Sequence, residues 1–237
     1  MKFHVVTLFP EMFEGPLTSS IIGRAIANDA IEFDFVNPRD FAADKHRSVD
    51  APPYGGGPGM VMMPVPLAEA VDSINREYPP DTLPTTILMS PQGSPMTHQL
   101  AENLSQIDAL TLVCGHYEGV DERFIEECID IEVSVGDFVM TGGEIPAMAI
   151  IDAVARLVPG VLGDSESAEE ESFSNQIGGM LEGPVYTRPA VFRGRRVPEV
   201  LLNGNRHEVE RYRKRIAAER TIARRPDLMQ GWGPDPE

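Results

Sequence analysis

With 237 residues, 42% of them hydrophobic and 24% charged, the chain has the balance of a globular protein: one large domain, or a large one with a small companion. No apolar run approaches the roughly 18 residues of a membrane span, so no membrane partner is expected. Two cysteines, Cys114 and Cys128, give no disulfide framework and fit a cytoplasmic protein.

The N-terminal "MKFHVVTLFPEMF" has one lysine and a short apolar run, and reads as a first strand rather than a secretion signal. Strand-type runs follow at 31–36, 85–89, 109–114 and 131–135, after the first at 3–9. Between them lie helical patterns at 20–28, 65–76, 97–105, 120–128 and 145–158, the last admitting Pro146 in its first turn and stopping at Pro159-Gly160. This alternation predicts an α/β layer fold with a largely parallel sheet.

The stretch "VDAPPYGGGPGM" at 49–60 holds four glycines and three prolines in twelve positions. A flexible linker would favour Ser and Gly, and Pro58 between Gly57 and Gly59 pins this one. The composition reads either as a turn-rich surface connection or as a defined loop whose backbone closely approaches something flat or bulky.

Three segments after predicted strands carry small residues and prolines where a helix would begin: "SPQGSP" at 90–95, "GHYEGVDER" at 115–123 and "GDFVMTGGEIP" at 136–146. In open α/β sheets, ligands sit beyond the carboxyl ends of strands, where such loops gather. Neither G-x-G-x-x-G nor G-x-x-x-x-G-K-[ST] occurs, and no Lys or Arg lies in these loops before Arg123, so polyphosphate is a poor fit. Glu118, Asp137 and Glu144 make the loops acidic, which suits a neutral nucleoside or a cationic group, although each acid alone also reads as a solvated loop residue or helix-cap partner. Cys114, His116 and Cys128 match no standard zinc spacing; Cys114 reads as a buried small hydrophobe, and no metal site is expected. No G-x-S-x-G elbow points to a hydrolase.

Residues 164–179, "DSESAEEESFSNQIGG", are polar and acidic and read as a linker between a domain at 1–163 and a small helical one at 180–237, whose final "GWGPDPE" reads as frayed. The net charge of −17 is unevenly spread: residues 182–237 hold 12 Lys/Arg against 8 Asp/Glu, and residues 1–181 hold 8 against 29. The cluster "RYRKR" at 211–215 reads either as a phosphate-facing surface or as a solvated helix face with i,i+4 pairs such as Glu210 to Lys214.

Ten segments in order carry a resemblance over nearly the whole length: "LFPEMF" (8–13), "GRA" (23–25), "NPRDF" (37–41), "VDAPPYGGGPGM" (49–60), "SPQG" (90–93), "CGHYEGVDER" (114–123), "VGDFVMTGGE" (135–144), "PGVLG" (159–163), "YTRP" (186–189) and "VPEVLLNGN" (197–205). On these the chain resembles the bacterial tRNA (guanine-N1)-methyltransferases that act at position 37, the TrmD family of the SPOUT superfamily. The resemblance implies a SPOUT-type parallel sheet with a C-terminal trefoil knot, a linker and a small helical domain, in an obligate homodimer. It implies S-adenosylmethionine in the knot loops, against Leu88, Met89, Ser90, Pro91, Gly115, Tyr117, Glu118, Gly119, Val135, Gly136, Asp137, Phe138, Val139, Met140, Gly142 and Gly143. Glu118 would then lie near the sulfonium, Asp50, Pro58 and Gly59 would help hold the target guanine and its neighbour, and the basic tail would grip the tRNA anticodon stem-loop. A preference for Mg²⁺ in the activity comes with the family.

Guanine N1 carries a proton, so its methylation needs a base, and deprotonation drives charge toward O6, where an arginine stabilises it. The matching positions are Glu171 for the base and Arg156 for the arginine. The family places an aspartate where this chain has Glu171 and another where it has Ala51, and the segment from Phe173 to Leu181 is longer than the pattern. Other readings are a related SPOUT methyltransferase with another RNA site, and a non-catalytic RNA-binding module. A nucleotide-binding metabolic enzyme is disfavoured by the absent phosphate loops.

Overall fold

The structure is a computed structural model that describes residues 1–163 and 171–229. Residues 164–170 of the expected linker, and the tail from 230, lie outside the described residues. The chain divides into two compact units, Met1–Gly163 and Asp164–Glu237.

The first unit is built on a parallel five-stranded sheet of order β2-β1-β6-β5-β7, from β1 (Lys2–Val6), β2 (Glu32–Val36), β5 (Thr85–Pro95), β6 (Ala109–Val113) and β7 (Ile131–Ser134). Every residue of β6, "ALTLV", is buried, as befits a central strand covered on both faces. The two-residue period then divides the core. Val5, Leu112 and Ile87 pair across three strands and face α2 (Ser20–Ala27), α4 (His98–Ser105) and α6 (Glu144–Ala155). One residue on, Val6, Val113 and Leu88 face α3 (Pro64–Asn75) and α5 (Glu122–Cys128). Each fully buried side chain of this kind contributes about 1.5–3 kcal/mol, so both faces hold the sheet.

Two features depart from the sequence reading. The segment 49–60 is clasped by a two-stranded antiparallel ladder, β3 (Asp50–Ala51) with β4 (Val61–Met62), too short to show as a periodic pattern. Segment 90–95 does not lead directly into a helix, because β5 continues to Pro95 and α4 starts only at His98, capped by the Thr97 hydroxyl accepting from the Leu100 N–H at 3.1 Å.

In the second unit, residues 171–180 form turns: the Phe173 N–H donates to the Met180 carbonyl (2.8 Å) and the Gly179 N–H to that of Ser174 (2.9 Å). A hairpin joins β8 (Val191–Phe192) to β9 (Arg195–Arg196) through Arg193 and Gly194, both at positive φ (49° and 80°), the pattern of a tight two-residue turn. Helix α7 (Arg206–Arg224) is capped by Asn205 and buries only Ala217 and Thr221, leaving a mostly exposed, cation-rich surface. Among the described residues no helix is long and apolar enough to cross a membrane.

Candidate active site

The loops that leave β5, β6 and β7 meet around a cavity of about 230 Å³. The first wall comes from an interruption in β5. Val133 pairs with both Met89 and Ser94, so residues 90–93 loop out of the ladder and re-enter it. Gly93 re-enters against the Glu132–Val133 backbone, where a Cβ would collide. The looped-out Ser90, Pro91 and Gln92 line the cavity, and the Ser90 Oγ accepts from the Gln92 N–H at 3.1 Å.

The second wall follows β6. Cys114 is buried, and that burial, reinforced by the charge of Glu144, pushes its thiol well above the usual range; it packs as a small hydrophobe. Tyr117 lines the cavity at φ 62°, left-handed backbone that a non-glycine residue adopts at a cost of about 1–2 kcal/mol. The third wall follows β7 and crosses the second: the Gly143 N–H donates to the Gly115 carbonyl at 2.9 Å, and His116 bridges to Gly142.

Glu144 corrects an expectation. It is not a loop acid facing a ligand but the first residue of α6, 1% exposed, with its carboxylate accepting from Thr7 Oγ1 at 2.8 Å and lying 2.9 Å from His116 Nε2. The charged side chains left on the cavity wall are Glu118 and Glu122, with no Lys or Arg among the lining residues. Such a wall disfavours polyphosphate and suits a neutral or cationic group.

The glycine-rich segment is docked on the second wall. The Glu118 N–H donates to the Met60 carbonyl (2.9 Å), the Met62 N–H to that of Gly119 (2.9 Å) and the Asp121 N–H to that of Met62 (3.1 Å). Gly59 has φ 78°, and a Cβ on it would collide with the Glu118 carboxylate. The segment is thus anchored at Gly59 and Met60–Met62, while residues 54–58 are exposed and a Cβ on Gly55 or Gly56 would meet open space.

All the cofactor residues expected from sequence line the cavity except Asp137, which is exposed and stands outside the lining. The lining also includes His116, Val120, Glu122, Ile125, Thr141 and Pro146. His116 lies within the "CGHYEGVDER" motif, but only its pairing with Glu144, 28 residues away, marks it out. Asp50 is half-buried in β3, whereas Pro58 and Gly59 are exposed. Arg156 forms the C-cap of α6 in the first unit, its N–H donating to the Asp152 carbonyl at 3.3 Å. Glu171 belongs to the second unit, half-buried, its carbonyl accepting from the Ser174 N–H at 3.2 Å. Among the described residues no group of three or more His, Cys, Asp or Glu that could hold a metal occurs.

The model of the family described as "tRNA (Guanine-1)-methyltransferase TrmD" matches residues 1–231. The chain is 51% identical to the tRNA (guanine-N(1)-)-methyltransferase of Geobacter sp. (strain M21), over 98% of this chain and 90% of that one. It is 52% identical to those of Alkaliphilus oremlandii, over 97% and 92%, and Carboxydothermus hydrogenoformans, over 97% and 88%. By the family match and these identities over nearly full length, the chain belongs to the tRNA (guanine-1)-methyltransferase family.

Proposed function

We propose that the protein methylates N1 of guanosine 37 in tRNA, with S-adenosylmethionine as donor. The observation that carries the donor assignment is the cavity itself, walled by loop backbone and by Glu118 and Glu122, without a cation. Gly142 and Gly143 extend the same logic: a Cβ on the second would lie 2.7 Å from Cys114 Cα, so both stay bare and leave peptide groups at the wall. Backbone N–H and C=O groups suit an adenine edge and ribose hydroxyls, and the carboxylates suit a positive sulfur.

When bound, the donor supplies a methyl group on a positively charged sulfur. The chain's part is deprotonation and placement. Glu171 takes the N1 proton, and Arg156 offsets the negative charge that moves toward O6. Asp50, Pro58 and Gly59 hold the target base and its neighbour, with Gly59 beside Glu118, so the substrate and donor subsites share a wall. Glutamate is one methylene longer than the family aspartate, and its carboxylate reaches N1 by folding back or by a small retreat of its backbone.

The crossing of the second and third walls is where the trefoil knot falls in this reading. Phe138, Val139 and Ile145, exposed at 57%, 84% and 53%, are the apolar surface that a second subunit of a homodimer would cover. The cation-rich α7 engages anticodon-stem phosphates. The free cysteines Cys114 and Cys128 suit the cytoplasm.

Two measurements test the reading. Calorimetry reports S-adenosylmethionine binding to the purified protein, and methyl incorporation compares a tRNA transcript carrying G37 with one substituted there. Donor binding with incorporation confined to the G37 transcript is expected. Incorporation independent of residue 37 would move the target elsewhere, and no donor binding with or without tRNA would end the reading.

A further inference from the structure

The glycine pair in "TGGE" and the histidine of "CGHYEGVDER" are explained by one contact. A Cβ on Gly142 would collide with both His116 Nε2 and the Glu144 carboxylate, so the bare position exists to let these side chains meet. The meeting point is the middle of a longer chain of hydrogen bonds. The Phe9 N–H donates to Thr7 Oγ1 (3.0 Å), the Thr7 hydroxyl donates to Glu144 Oε1 (2.8 Å), and Glu144 Oε2 lies 2.9 Å from His116 Nε2. Thr7 and Glu144 are each 1% exposed, and His116 retains 18% of its side-chain surface at the cavity wall.

His116 is gripped from other sides as well. The Phe9 ring lies 4.8 Å from its ring, and the His116 N–H donates to Met62 Sδ at 3.2 Å. Three parts of the chain therefore meet at His116: the Phe9 segment after β1 and the start of α6 touch its ring, and Met62 of β4 takes its backbone N–H. A buried carboxylate is tolerated only when its lone pairs are satisfied, and here Thr7 and His116 meet one oxygen each.

We propose that Thr7, Glu144 and His116 form a positioning relay that fixes the crossing of the two loops walling the methyl-donor cavity. Resting on the donor assignment above, it deepens that assignment. None of the three is a catalytic residue; Thr7 and Glu144 stand outside the cavity lining and act through His116 and the Gly142–Gly143 backbone. Loss of the relay loosens the site for the donor before it affects the transfer step.

The test compares His116→Leu, His116→Asn and Thr7→Val with the wild type, reading donor affinity by calorimetry and the kcat against KM split in methyl transfer. His116→Leu removes the ring nitrogen that meets Glu144 and leaves that buried carboxyl oxygen without its partner, so donor Kd and KM rise about tenfold while kcat falls less than about threefold. His116→Asn keeps an N–H toward Glu144 and restores most of the affinity, which a purely volumetric role for the imidazole would not allow. Thr7→Val keeps the shape and, from outside the cavity, raises Kd in the same direction, so it decides the matter if His116→Leu does not fold. Wild-type donor affinity in both Thr7→Val and His116→Leu would overturn the relay, as would a kcat collapse at unchanged Kd. A wild-type protein that binds no donor would instead overturn the donor assignment.

Discussion

The Glu118 carboxylate occupies the space into which a side chain on Gly59 would grow. This contact joins the segment assigned to the target base to a wall of the donor cavity, and the backbone bonds of Met60 and Met62 to that wall make the two one assembly. Gly59→Ala both displaces Glu118 and forces a Cβ into left-handed backbone, at a cost of at least about 1 kcal/mol. It is expected to weaken tRNA and donor together, each by about fivefold or more, and to lower the melting temperature by about 2–4 °C. Calorimetry with each ligand alone checks this; an effect on one ligand only would separate the subsites.

His4 supplies a pH dependence remote from the cavity. Its ring is fully buried in β1, with Nε2 2.8 Å from the Tyr78 hydroxyl and Nδ1 3.3 Å from Asp34. Burial, with Lys2 adding to it, holds its pKa below the ordinary 6.5, although Asp34 and Glu77 pull the other way. Below about pH 6.5 the unfolded chain therefore takes up a proton that the folded one resists. This contribution to stability is complete above 6.5 and lost as pH falls through the folded value. Denaturant titrations at pH 5.5 and 7.5 are expected to show a smaller difference in His4→Gln than in wild type; equal differences would remove His4 from the account.

Much of this architecture is legible from sequence because β1, β5, β6 and β7 are contiguous apolar runs, and helices with periodic faces separate them. The exceptions have physical causes. Asp50–Ala51 and Val61–Met62 pair across a glycine loop, and two residues carry no period. Pro91 and Pro95 read as strand breakers, yet looping out 90–93 lets β5 resume beside Val133. Glu144 reads as a surface acid because the residues that satisfy it lie far off in the chain, His116 by 28 positions and Thr7 by 137. Arg156 and Glu171 follow from family motifs alone; no local pattern marks an arginine at a helix end or one glutamate in an acidic run.

The cations of α7 are partly engaged within the helix: Arg206 pairs with Glu210 at 3.2 Å and Arg215 with Glu219 at 2.6 Å. Exposed pairs of this kind are worth well under about 1 kcal/mol and yield readily to phosphate. Replacing Arg213, Lys214 and Arg215 together by alanine is expected to weaken tRNA binding and to flatten the plot of log affinity against log salt by about one unit for each phosphate no longer neutralised. An unchanged slope would leave the cluster as a solvated face.

The assignment of Glu171 as base makes the sharpest prediction, because charge and reach can be varied separately. Glu171→Gln keeps size and hydrogen-bonding capacity but cannot accept the N1 proton. The donor should bind within about twofold of wild type while kcat drops about 10²–10⁴-fold, the range lost with a general base. Glu171→Asp keeps the charge, shortens the side chain by one methylene and installs the residue that the family pattern carries. If the backbone at 171 can advance toward the guanine, the aspartate enzyme retains most of its activity; if it is held by its turn with Ser174, activity falls by an amount that measures the missing reach. Single-turnover methylation of G37 tRNA across pH distinguishes these cases, because a base that titrates must leave an acid limb in the rate profile. Near wild-type turnover in the glutamine variant would assign the proton to another acceptor.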